Sequence, residues 1–211
     1  AYLGTGGASG LFLDADFFAA LPTATAINGD PTALVQYSAG NLTIYASITQ
    51  PSYTFTEPCC TWTNGDTYSI AAAYTMDGYK FSIGYEKWDG DRTTIVSTAS
   101  VDNLVLGADA TFGAFTMKAR YSEGSTDFDG TAFQDHKQWA VSGTYKADEL
   151  SLTAYISDMS ADQSGTIVAE REAYGLGAAY DLGGGASVVG GYAKNKTDDT
   201  NAFDLGLSFA F

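Results

Sequence analysis

The final stretch of the chain, "NAFDLGLSFAF" at residues 201–211, decides the fold. Its large apolar residues occur at every second position, from Phe203 to Phe211, and the residues between them are small or polar. A period of two indicates a single β-strand with two unlike faces. A soluble fold usually leaves its terminus polar and frayed, so an apolar face that runs to the last residue predicts contact with an apolar solvent.

The composition excludes several classes of protein. The 211-residue chain carries a formal net charge of −15, which disfavours nucleic-acid binding because phosphate recognition needs a basic surface. No apolar run in the sequence reaches the ~18 residues of a membrane-spanning helix. The two cysteines, Cys59 and Cys60, are adjacent. This spacing suits no zinc site, and it leaves a strained disulfide or two free thiols as alternatives.

Alternating segments recur along the chain and predict eleven strands, with no convincing helix. Short turns such as Asp77-Gly78 separate strands at one end of the predicted sheet. Longer connections alternate with these turns without exception, at residues 49–67, 87–101, 122–137, 157–172 and 193–201. An up-and-down antiparallel meander has this arrangement, and outer-membrane barrels have it systematically.

The aromatic residues of the apolar parity form two bands, with aliphatic residues between them. Two aromatic girdles around an aliphatic belt are typical of a face in contact with lipid, because amphipathic rings favour the interface. A soluble sandwich with an aromatic core would not sort these residues by distance from the turns. The girdle beside the short turns comprises Tyr37, Tyr74, Tyr79, Phe112, Phe115, Tyr145, Tyr180, Phe209 and Phe211. The girdle near the long connections comprises Tyr68, Tyr85, Tyr121, Trp139, Tyr174, Tyr192 and Phe203.

The predicted fold is therefore all-β, a transmembrane antiparallel up-and-down β-barrel. A closed barrel lets every backbone group pair inside the membrane, which an open sheet cannot do. The opposite parity of each strand is small or hydrophilic, and it would line a water-filled lumen. The candidate pore-lining residues are Tyr45, Lys80, Glu86, Asp109, Lys118, Arg120 and Asp204.

A resemblance to a known family rests on three stretches of sequence. They read "ALVQYSAGNLTIYASI", "YSIAAAYTMDGYKFSIGYEK" and "AYGLGAAYDLGGGASVVGGYAKN". Together with the final strand, they resemble the general outer-membrane porins of alphaproteobacteria, of the Rhodobacter type, over most of residues 32–211. The resemblance implies a sixteen-stranded trimeric barrel that passes small hydrophilic solutes, with a long third loop folded inward.

The resemblance also implies which part of such a barrel this sequence supplies. The eleven strands look like strands six to sixteen, so about five N-terminal strands would be missing, since single-chain bacterial barrels have even strand numbers. Residues 1–31 would form the inward constriction loop, and residues 32–211 the barrel strands. Asp14 and Asp16 would supply the carboxylates of the constriction, opposite Lys118 and Arg120 on the wall. The alternative is that Asp14 and Asp16 are solvated loop charges.

Acidic residues in the predicted loops raise the question of a metal. Asp127 and Asp129, in "TDFDGT", have the hard-oxygen chemistry that Ca²⁺ favours, although they complete no EF-hand spacing. The Rhodobacter-type porins look like calcium binders, which makes Ca²⁺ a candidate ligand here. Solvated loop acid is the alternative, and no cofactor is required for the predicted function.

The predicted function is a passive diffusion channel for small hydrophilic solutes and ions across the Gram-negative outer membrane. Its expected partners are the lipid bilayer, lipopolysaccharide and two further copies in a homotrimer. One alternative is a structural or adhesive barrel with a blocked lumen. The other is a barrel hydrolase that uses His136 with Ser142 or Ser157. An enzyme is not expected, because nothing in the sequence supplies a carboxylate to orient His136.

Overall fold

The computed structural model describes residues 32–49, 54–57, 60–92 and 97–209. These ranges contain twelve β-strands and confirm the all-β prediction. None of the described residues lies in a helix long and apolar enough to cross a membrane. The strands are β1 (Thr32–Ala39), β2 (Leu42–Thr49), β3 (Thr54–Glu57), β4 (Cys60–Met76), β5 (Tyr79–Arg92), β6 (Ser97–Phe112), β7 (Phe115–Phe128), β8 (Thr131–Ala147), β9 (Leu150–Gln163), β10 (Thr166–Gly183), β11 (Ala186–Asn195) and β12 (Thr200–Phe209).

Eleven of the strands form the predicted up-and-down meander. Each pairs antiparallel with the next along the chain, in the order β1-β2-β4-β5-β6-β7-β8-β9-β10-β11-β12. The short β3 pairs only with the start of β4 and lies in the segment 49–67, which was predicted to be a connection. Within the described residues, β1 and β12 are the two edges of the sheet.

Tight turns fix the register at the end where short turns were predicted. Asp77 and Gly78 connect β4 to β5 with φ angles of 37° and 85°. Positive φ at both central residues defines a type I′ turn, whose twist matches that of the flanking strands, and Asp-Gly favours it. The turn brings Met76 opposite Tyr79. From this pair, the register of the hairpin continues without a break away from the turn as far as Gly65, where a bulge interrupts it.

Two segments predicted as long connections are paired strand instead. Residues 122–137 form the ends of β7 and β8, which meet at a tight turn of Asp129 and Gly130. Residues 157–172 likewise extend β9 and β10 to a turn of Ser164 and Gly165. The prediction was wrong here because it relied on apolar alternation, whereas a backbone ladder pairs regardless of side-chain polarity.

The two faces of the sheet differ as the alternation predicted, but the apolar face is the exposed one. Leu176 is 63% exposed, Leu205 71% and Phe203 76%. The only buried apolar residues among those described are Ala99 and Ala161. A soluble sheet would bury its large apolar side chains against a second layer. This sheet has no such layer in its described part, so its apolar face requires an apolar solvent.

Candidate functional site

Charged residues mark the outer limit of the apolar face. On the outward parity, Lys87 follows Tyr85 by two residues, and Glu123 follows Tyr121 in the same way. Tyr121 donates a hydrogen bond of 2.7 Å to Glu123. The same step from an aromatic ring to a charge occurs at Trp139 and Lys137, at Tyr174 and Glu172, and at Tyr192 and Lys194. Such a boundary is what a strand shows where it leaves the headgroup region for water.

The girdle beside the short turns is built from cross-strand ring contacts. The rings of Tyr79 and Phe112 lie edge to face with their centroids 5.5 Å apart, and those of Phe115 and Tyr145 are 4.7 Å apart. These pairs join β5 to β6 and β7 to β8. The predicted girdle residues that the structure describes are all exposed, as a lipid-interface position requires: Tyr37, Tyr74, Tyr79, Phe112, Phe115, Tyr145, Tyr180 and Phe209. Phe211 lies outside the described residues.

The polar face is lined by hydroxyl groups that pair across strands. Ser47 Oγ lies 2.6 Å from Ser69 Oγ, between β2 and β4. Thr144 Oγ1 lies 3.0 Å from Thr153 Oγ1, between β8 and β9. Such pairs leave further lone pairs and protons for water, so this face is a hydrophilic wall.

Four of the predicted pore residues come together on β5, β6 and β7. Asp109 stands directly opposite Lys80 on one side and Lys118 on the other. Arg120 follows Lys118 by two residues and therefore shares its face. We call Lys80, Asp109, Lys118 and Arg120 the charged patch. It carries three cations and one carboxylate and is net positive.

Arg120 lies flat against the wall instead of reaching away from it. Its Nη1 donates to Asp109 Oδ1 at 2.5 Å and to the Ala119 carbonyl oxygen at 2.8 Å. A third, longer bond of 3.3 Å reaches the Ala108 carbonyl oxygen. The side chains of Arg120 and Asp109 are only 22% and 23% exposed.

Gly107 provides the space that Arg120 occupies. Gly107 stands opposite Arg120 in the register of β6 and β7. A Cβ at this position would clash with Ser82 Oγ and would lie 3.3 Å from both Cδ and Nη1 of Arg120. No role was predicted for Gly107 from the sequence, although a glycine inside a strand is a signal that another group approaches closely.

The other predicted pore-lining residues lie apart from the charged patch. Glu86 stands between Ser69 and Asn103 in the register, two residues from Gly84 on β5. Tyr45 is on β2, and Asp204 is on β12, towards opposite edges of the sheet. Asp14 and Asp16 lie outside the described residues, so their place opposite Lys118 and Arg120 stays a prediction.

The predicted metal site and the predicted disulfide both stay predictions. Asp129 Oδ1 accepts a hydrogen bond of 2.8 Å from the Thr98 backbone N–H, which fastens the β7–β8 turn to β6. Among the described residues, no three acidic, histidine or cysteine side chains are grouped to hold a metal ion, and Ca²⁺ at Asp127 and Asp129 stays a prediction. Cys59 lies outside the described residues, and Cys60 is described only as the first residue of β4.

His136 is enclosed between two small residues on the polar face. In the register it stands between Gly124 on β7 and Ala161 on β9. A Cβ at Gly124 would lie 2.7 Å from His136 Cε1. The side chain is 4% exposed. This burial holds the pKa of His136 below its ordinary value, and the charges of Asp102 and Asp135 act in the opposite direction.

The hydrolase alternative fails on this geometry. Ser142 lies on the same strand as His136 and six residues away, which is about 20 Å at ~3.3 Å per residue. Ser157 stands opposite Ala140, which is itself four residues from His136. Neither hydroxyl is within hydrogen-bonding reach of the imidazole, as a serine nucleophile and its base require.

The burial of His136 makes the stability of the protein depend on pH. As the pH falls through the ordinary value of 6.5, the unfolded chain binds a proton that the folded chain excludes, so the free energy of unfolding decreases. Well above that value, both states are neutral and His136 contributes no pH dependence. We expect His136→Gln to lose less stability than the parent between about pH 7.5 and pH 5.5 in urea unfolding. An equal loss in both proteins would contradict this expectation.

The sheet and its two faces define a class of protein. An antiparallel meander with an exposed aliphatic belt between aromatic bands, and with a hydroxyl-lined opposite face, is the wall of a transmembrane β-barrel. Comparison with known proteins then gives the family. The family model for Gram-negative porins matches residues 3–200, and a porin of Rhodobacter capsulatus is 34% identical over 196 residues, or 86% of this chain. The chain belongs to the Gram-negative porins, which are proteins of the outer membrane.

Solved structures agree with this assignment. A porin structure refined at 1.8 Å resolution has a TM-score of 0.72 and 30% identity, and the match covers 90% of this chain and 64% of that one. OmpT of Vibrio cholerae in its trimer form has a TM-score of 0.62 over 85% of this chain and 64% of that one. At 17% identity, it is similar in fold alone. The chain spans 62% of the length of the Rhodobacter capsulatus porin.

Proposed function

We propose that this chain forms part of the wall of a passive, water-filled diffusion channel for small hydrophilic solutes and ions. The observation that carries the proposal is the inverted sheet, in which large apolar side chains are exposed on one face and hydroxyl and charged groups occupy the other. One face suits lipid and the other suits water. No enzymatic activity is part of the proposal.

A closed channel needs a partner strand for each edge of the described sheet. Further strands would pair with the edges β1 and β12 and close the barrel, because an unpaired edge cannot remain in hydrocarbon. In this proposal, residues 1–31 fold inward and bring Asp14 and Asp16 towards Lys118 and Arg120. The end of β1 supports this arrangement, since Thr32 lies at the opposite end of β1 from the turn after Ala39.

The proposed assembly is a homotrimer in contact with the bilayer and lipopolysaccharide. OmpT of Vibrio cholerae, whose fold is similar, has a trimer form. The apolar faces of β1 and β12 are exposed in the single chain, with Val35 and Leu207 among their residues, and they are available for contact with lipid or with another copy.

The channel proposal is tested by the reversal potential of the full-length protein in a planar bilayer under a salt gradient. Neutralising Lys118 and Arg120 together, as Lys118→Gln and Arg120→Gln, should shift selectivity towards cations, because both charges lie on the polar face. Asp14→Asn with Asp16→Asn should shift it towards anions. Both shifts should shrink as the Debye length falls from ~10 Å at 0.1 M salt to ~3 Å at 1 M.

Lys137 provides a matched control for charge removal. It lies on the outward parity of β8, beyond Trp139, so Lys137→Gln removes one positive charge without altering the polar face. We expect a much smaller change in reversal potential than Lys118→Gln alone produces, because that variant removes the same charge from the polar face. A full-length protein that inserts but conducts no current would instead support the structural barrel with a blocked lumen.

A further inference from the structure

We infer that Asp109 and Gly107 determine ion selectivity by holding Arg120 against the wall, so that Lys80 and Lys118 present the positive charge to a passing anion. The inference rests on the proposed channel function. It identifies which cations of the charged patch act on the solute, and it assigns a role to two residues that bear no positive charge.

The immobilisation of Arg120 is the first step. Its three hydrogen bonds from Nη1 go to one carboxylate and two backbone carbonyls, and all three acceptors belong to the wall itself. A guanidinium is planar and rigid, so fixing one nitrogen in this way restricts the whole group. Asp109 also offsets most of its charge at close range. Arg120 is thus a weak contact for a solute despite its position on the polar face.

Gly107 makes this arrangement sterically feasible. Arg120 occupies the volume above Gly107, where any side chain would approach its Cδ and Nη1 to 3.3 Å and would clash with Ser82. A methyl group at residue 107 would therefore push Cδ and Nη1 of Arg120 away by a few tenths of an ångström without changing any charge. The effect of the position of Arg120 on selectivity can therefore be measured separately from the effect of its charge.

Lys80 and Lys118 remain as the exposed cations of the charged patch. Both side chains are exposed, and neither forms an ion pair within the part of the chain that the structure describes. They flank Asp109 from β5 and β7, about 10 Å apart at ~4.8 Å per strand spacing. Two lysine side chains at this separation can converge on one carboxylate or phosphate group. Water in a confined channel screens their field less than bulk water does.

The decisive variant is Gly107→Ala, measured as reversal potential in a KCl gradient with the full-length channel. It should shift selectivity towards anions at unchanged net charge, because even a small displacement of Arg120 would weaken its ion pair with Asp109. Gly84→Ala is the matched control. It lies on the polar face of β5, and its added Cβ would make only an ordinary contact of 3.5 Å with Ala71. We expect no shift for this control.

Charge variants test the same inference if Gly107→Ala fails to fold. Lys80→Gln with Lys118→Gln should shift the reversal potential towards cations by more than Arg120→Gln with Lys137→Gln, a pair that removes equal charge. Asp109→Asn should shift it towards anions. The inference is overturned if Gly107→Ala conducts with the parent's selectivity, or if the two double variants shift selectivity equally. A parent protein that conducts no current would overturn the channel proposal itself.

Discussion

Leu176→Arg is expected to destabilise the folded barrel by about 2–4 kcal/mol, the cost measured for arginine on the lipid face near the bilayer midplane. Leu176 lies on β10 between Tyr174 and Tyr180, the aromatic residues of its own strand, and it is 63% exposed on the apolar face. An arginine there must leave its charge in hydrocarbon or extend to the headgroups. Leu106 on β6 is a second such position, also exposed. The measurement is reversible urea unfolding of the full-length protein in lipid vesicles.

The control places the same arginine on the polar face. Ser142 and Thr153 are partly buried among hydroxyl groups on β8 and β9, and Arg at either position should cost much less than at Leu176 or Leu106. Thr153→Arg loses its hydrogen bond to Thr144, which is worth about 1 kcal/mol. Equal costs on both faces would mean that the assignment of lipid and water to the two faces is wrong.

The meander and the identity of its faces could be predicted from the sequence because both are local properties. Leu205 and Leu207 lie on one face of any extended strand, whatever surrounds it. Turn residues such as Asp77 and Gly78 act through their own backbone conformations. The extended β7–β8 and β9–β10 hairpins were missed because their polar residues gave no alternation. The dipeptides Asp129-Gly130 and Ser164-Gly165 are nevertheless recognisable turn signals in the sequence.

The charged patch shows where prediction from sequence ends. Asp109 opposite Lys118 follows from counting back from the turn between Phe112 and Phe115, which are themselves a pair. The pairing of Asp109 with Lys80 spans the connection between β5 and β6 at residues 93–96, and no local signal fixes a register across such a connection. The approach of Arg120 to Gly107 depends on packing between strands, so the sequence could name Arg120 but not what it contacts.

Gly124→Ala is expected to destabilise the protein by at least the 1–3 kcal/mol that is typical of overpacking a tightly filled site. Its Cβ would clash with the carbonyl oxygen of Asp102 on β6 and would lie 2.7 Å from His136 Cε1 and 2.9 Å from His136 Nε2. Asn103 stands opposite Gly124 in the ladder, so β6 and β7 cannot separate here without breaking backbone hydrogen bonds. Urea unfolding of the full-length protein measures the cost.

Gly143→Ala is the matched control for the loss of a strand glycine. It adds the same methyl group on β8, where no heavy atom lies within 4 Å of the new Cβ, and it should be close to neutral. Combining Gly124→Ala with His136→Ala distinguishes the two clashes, because removing the imidazole relieves only one of them. We expect Gly124→Ala to cost less stability in the His136→Ala background than in the parent. It should still be destabilising there, since the Asp102 carbonyl is part of the backbone and stays in place. If Gly124→Ala costs nothing in the His136→Ala background, the strands can shift to accommodate the clash with the Asp102 carbonyl. In that case the imidazole alone would make position 124 require glycine.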